Sequence, residues 1–124
     1  MEKQQLTPYG VFVILFSLLL GCSFQKSSVK EAETSRVDSL LSFYRDSLAV
    51  RPLAVISKLR TDQENVSDSI NYYNLNQTIS RCYYFSNQVD SAFLLNDRVL
   101  HFVEKQPEKD GRLLKLSADA YNSR

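Results

Sequence analysis

From Ser35 to the end of the chain, apolar side chains return at steps of three and four residues. This spacing constrains the fold more than any other feature. A 3.6-residue turn brings such positions onto one helical face, whereas a strand needs strict alternation. Turn punctuation agrees, since three glycines and three prolines are too few for a chain of many short strands and tight turns. The spacing predicts an all-α fold of about five helices. Ser35, with Asp38 three residues on, opens the first as a capping box, and Val37, Leu40, Leu41, Tyr44 and Leu48 form its stripe. Arg51-Pro52 stops that helix and starts a second, because proline suits a first helical turn, with Leu53, Ile56 and Leu59 as its stripe. Thr61 to Asp68 is polar and reads as a connection. Tyr72, Leu75, Ile79, Cys82 and Tyr83 line a third helix; Val89, Ala92, Leu95, Val99, Phe102 and Val103 line a fourth, whose start Asn87 and Asp90 mark. A turn from Gln106 to Gly111 leads to a fifth, carrying Leu113, Leu116, Ala120 and Tyr121.

The N-terminal segment follows another pattern. Gly10 to Leu20 carries no charge and is apolar on every side. A bilayer-spanning helix needs about 20 such residues, while roughly 7 to 15 suits the core of a signal peptide. The run ends in Leu19-Leu20-Gly21-Cys22, which resembles the lipobox of bacterial lipoproteins. The resemblance implies a signal peptide over 1–21, diacylglyceryl transfer to the Cys22 thiol, cleavage before Cys22 and acylation of the new amine. The bilayer is then a partner through the acyl chains, each buried methylene contributing about 0.8 kcal/mol. Residues 22–35 are polar and lack clear periodicity, so a flexible tether is expected. Ser23 after the cysteine, rather than an acidic residue, implies the outer membrane of a Gram-negative cell envelope over the inner one.

Within the helical part, Ile79-Ser80, Tyr83, Asn87, Val89, Ala92 and Val99 resemble the middle of a tetratricopeptide repeat. That family places an aliphatic and a small residue, then an aromatic, across the packed face of its first helix. An alanine near the start of the second helix lets the two backbones approach. Ala118 and Tyr121 repeat Ser80 and Tyr83 at a distance of 38 residues, against a usual period of about 34. Asn96 stands where the family has an aromatic. The resemblance implies antiparallel helix hairpins stacked as a short solenoid over 36–124, with Ile79, Tyr83, Ala92, Val99, Ala118 and Tyr121 as repeat-packing residues. It also implies a domain incomplete at its C-terminal end, with no sixth helix to cover Leu113, Leu116, Ala120 and Tyr121.

Charge and chemistry exclude more than they assign. A net charge of +1 offers no single-sign field for nucleic acid. His101 is the only histidine, so a histidine-based metal cluster or acid–base pair is out of reach. It falls on the fourth helix away from the apolar stripe, and reads as a surface residue. Cys82 falls on the stripe of the third helix, and reads as an inert buried thiol. No catalytic residue, metal site or cofactor is expected. Consecutive aromatics cannot all point inward on a helix. Tyr73 or Tyr84 should therefore reach another face, where packing against a neighbouring repeat is the favoured role and a partner-binding anchor the alternative. The expected function is a membrane-tethered scaffold for a protein or peptide partner. The alternative is an N-terminal sensory or input segment of a membrane-associated signalling regulator, with an enzyme a distant third. Metabolic labelling with a fatty-acid analogue in a Gram-negative host should tag the chain, and Cys22→Ala should abolish the label and release it from the membrane fraction. Equal labelling of the variant would overturn the anchor.

Overall fold

The computed structural model describes residues 27–123. Glu33–Arg124 forms one compact unit. The described chain is all helical. Helix α1 runs over 27–44 and passes into a 3₁₀ turn, Arg45–Ser47. It is followed by α2 (Pro52–Gln63), α3 (Ser69–Phe85), α4 (Val89–Glu104) and α5 (Gly111–Asn122).

Two apolar clusters flank α3. Val37, Leu48, Val55, Ile56 and Leu59 pack against Leu75, Ile79, Cys82 and Leu95 in the first. Val99, Leu100, Val103, Leu113, Leu116 and Ala120 form the second, closed from α3 by Ile70 and Tyr73. Each fully buried leucine or isoleucine contributes about 1.5–3 kcal/mol, so α3, packed against α2, α4 and α5, is the structural centre. Its start is capped by Asp68, whose carboxylate accepts from Asn71 N–H at 3.1 Å. Asp110 caps α5 in the same way, accepting from Leu113 N–H at 3.0 Å. Between α3 and α4, Asn87 adopts a left-handed conformation, φ 63°. Gln88 N–H reaches Tyr83 C=O at 2.8 Å and Asn87 N–H reaches Tyr84 C=O at 3.1 Å, a Schellman end that reverses the chain in three residues. Beside it the two helices approach closely. Ser80 Oγ donates to Ala92 C=O at 2.7 Å, and Ala92 is buried.

Several expectations are corrected. Residues 27–35 are helical rather than a tether, so Ser35 lies inside α1 and caps nothing. Lys30, Glu31, Ala32 and Glu33 are good helix formers, and Glu33 and Thr34 bond to the start of α3. The rest of the expected tether, and the signal peptide, lie outside the described residues. In α2 the buried arc is Val55, Ile56, Leu59 and Gln63. Leu53 sits one position outside it, 60% exposed. The helix also runs on to Gln63, into the stretch expected as a connection. In α5, Leu113, Leu116 and Ala120, expected to lie uncovered for want of a sixth helix, are buried against α3 and α4, while Tyr121 is 55% exposed. Leu114, Ala118 and Tyr121 share a face that no described helix covers. Ala92 is buried, whereas Ala118, which the repeat resemblance matches to the buried Ser80, is exposed. Overpacking a buried site costs about 1–3 kcal/mol, while exposed changes stay within about 0.5 kcal/mol. Ala92→Phe should lower Tm by roughly 4–8 °C per kcal/mol lost, and Ala118→Phe should leave it nearly unchanged. Equal losses in thermal melts would contradict the α3–α4 contact.

Candidate functional site

Polar side chains tie α1, α3 and α5 side by side. Asn71, fully buried near the start of α3, touches all three. Its Nδ2 donates to Glu33 Oε1 at 3.1 Å and Thr34 Oγ1 at 3.2 Å, and its Oδ1 accepts from Arg112 at 2.7 Å. Arg112 also pairs with Asp68 at 3.1 Å. At the other end of α5, Gln77 Nε2 donates to Asp119 C=O at 3.2 Å and Ser123 Oγ at 2.9 Å. Asn96 of α4 donates to Ser123 C=O at 3.2 Å. The start of α5 therefore meets the start of α3, and its end lies further along α3, so the two run parallel. α4 turns back behind them.

The faces these ties align form a groove of about 660 Å³. From α1 and its 3₁₀ turn come Thr34, Asp38, Leu41, Ser42 and Arg45; from α3, Asn74, Gln77, Thr78 and Arg81; from α5, Arg112, Lys115, Asp119, Asn122 and Ser123. Four cations line it against two carboxylates. Arg112 is engaged as above, and Lys115 pairs with Asp119 at 2.7 Å. Arg45 and Arg81 have no ion-pair partner among the described residues. A smaller hollow of about 250 Å³ adjoins, lined by Ser80, Arg81, Tyr84, Phe85, Asn122 and Ser123.

Of the two tyrosines singled out in the sequence, Tyr84 is the exposed one, at 58%, edge-on to Phe85. Tyr73 is half-buried, stacked on Phe102 with ring centroids 4.1 Å apart, and is packing rather than anchor. Ile79, Ala92 and Val99 are buried and Tyr83 half-buried, whereas Ala118 and Tyr121 are exposed. Asn96 is buried, and its bond to Ser123 explains an amide where the resemblance has an aromatic. Cys22 and its lipobox lie outside the described residues. The groove itself went unread in the sequence, although a signal was there. Asn74, Gln77, Thr78 and Arg81 recur at helical spacing on α3, as do Arg112, Lys115, Asp119 and Asn122 on α5. These are polar stripes beside the apolar ones.

His101 is exposed and lines neither the groove nor the adjoining hollow. Burial pushes the Cys82 thiol up to about 11, against a small opposing pull from Arg81, so it carries little thiolate. Among the described residues no cluster of three or more His, Cys, Asp or Glu could hold a metal ion, and no helix is long and apolar enough to cross a membrane. No protein-family model, curated protein or solved structure matches the chain.

One titratable group governs how α1 meets α3. Partial burial alone would raise the pKa of Glu33. Donors from the Ser67 hydroxyl, the Asp68 and Ser67 amides and the Asn71 side chain outweigh it and hold the pKa at about 2, below the ordinary 4.5. A carboxylate depressed in the folded state stabilises it above its unfolded pKa, and loses that contribution as pH falls through the folded value. Glu33→Gln should therefore melt below wild type at neutral pH, with the gap closing between pH 4.5 and about 2. A gap unchanged at the acid end, in melts taken across that range, would refute this role.

Proposed function

We propose that this chain is a membrane-tethered interaction scaffold that holds a peptide or protein segment in the groove between α1, α3 and α5. The single observation that carries the reading is the groove itself. Three helices present polar side chains to one open channel. A channel of this size lies within the range of ligand sites, and its mixed donors and acceptors suit a peptide backbone better than an apolar ligand. The lipobox resemblance at Leu19-Leu20-Gly21-Cys22 supports the tether, with the cell envelope of a Gram-negative bacterium as its place. The repeat resemblance over α3 and α4 supports a scaffold built of stacked hairpins.

Selection of displayed random peptides on the full chain in detergent tests this. Ser42 lines the groove yet is exposed, so Ser42→Trp should block the channel without disturbing a core. Selected peptides should bind Ser42→Trp at least about tenfold more weakly, ~1.4 kcal/mol, while a change at exposed His101 leaves binding intact. Peptides indifferent to Ser42→Trp, or no peptide selected at all, would overturn the reading.

A further inference from the structure

We propose that the groove selects peptides in which an aspartate or glutamate is followed by a large apolar side chain, with Arg45 and Arg81 taking the carboxylate and the Tyr84–Phe85 hollow taking the apolar group. This rests on the binding reading above and assigns the chemistry of the partner.

Two of the four cations in the groove carry no ion pair among the described residues. Arg112 is held by Asp68 and Asn71, and Lys115 by Asp119. Arg45 and Arg81 lie at the far ends of α1 and α3, where no carboxylate pairs with them among the described residues. An anion in this channel therefore gains most there, and a guanidinium fork matches a carboxylate with two parallel hydrogen bonds. Arg81 lines both the groove and the smaller hollow, so a group bound to it lies beside the hollow's aromatic wall. Tyr84 and Phe85 there are 58% and 46% exposed, an apolar surface that the fold leaves open. A carboxylate on Arg81 sets the next residue beside those rings, and a bend in the peptide there brings its side chain onto them, since a fully extended backbone would turn it to the opposite face.

The probe is a set of fluorescein-labelled peptides, Asp-Leu, Asn-Leu, Asp-Gly and Lys-Leu, each in the same Gly-Ser flanks, titrated against the full chain in detergent. Charge-assisted hydrogen bonds contribute enough for about a tenfold preference, so Asp-Leu should bind about tenfold more tightly than Asn-Leu or Asp-Gly, and Lys-Leu more weakly still. Arg81→Gln should bring Asp-Leu down to the Asn-Leu level. Tyr84→Ser should erase the preference for Leu over Gly while keeping that for Asp over Asn, a split that general unfolding would not produce. Equal binding of Asp-Leu and Asn-Leu, both lost in Ser42→Trp, would overturn this selectivity and leave the scaffold reading standing. No binding by any of the four would do the same if display yields neutral peptides, and would sink both readings if display yields none. Phosphatidylglycerol vesicles captured through Arg45 and Arg81, with no Asp-Leu binding, would assign the arginines to a membrane surface and overturn the proposal.

Discussion

Everything arranged around the groove depends on one buried amide. Asn71 is fully buried and bonds to α1 through Glu33 and Thr34 and to α5 through Arg112. A buried amide is costly unless its donors and acceptor are all engaged, and no apolar residue could hold three helices in register by the same means. Apolar packing is non-directional. It brings α1 and α5 to either side of α3 without saying how far each slides along it. The hydrogen bonds of Asn71 supply that missing coordinate, and the polar stripes of three helices face one channel as a result.

The sequence could be read where burial follows apolarity. The stripe of α4 and, apart from the exposed Tyr72, that of α3 followed from spacing alone, as did the turn before α5. Reading failed where another force decides. Asn71, Asn76 and Gln77 are buried on α3, and no hydrophobic pattern marks them, because their partners lie on other helices. Leu53 and Val55 differ by two positions in one apolar stretch, and only the exact helix start decides which turns inward. Residues 27–35 looked like a tether because they have no apolar stripe, yet good helix formers and the contact of Glu33 with α3 make them helical.

The site was harder to read than the fold for a related reason. Sequence reasoning looked for conspicuous side chains and found the tyrosines. Tyr73 turned out to be a stacking partner for Phe102. Tyr84 does border a hollow, but at the end of a groove built from residues as far apart as Thr34 and Ser123. A surface assembled from three helices has no local signature. Its residues are ordinary until the register that unites them is known.

The attachment of α5 has a consequence for motion. Its buried apolar contacts are few, chiefly Leu113, Leu116 and Ala120, and its far end is held by Gln77 and Asn96, whose side-chain oxygens find no donor. Each such buried acceptor gives back about 1–3 kcal/mol of what docking gains. Segments with little buried surface open at lower free energy than the globule as a whole, so backbone amides of α5 should exchange with solvent ahead of those in α3. One wall of the channel is thus a reversible attachment, and channel width is a population-weighted property rather than a fixed dimension. Any molecule that bridges α3 and α5 draws that population toward the closed form, so occupancy and local folding are thermodynamically linked.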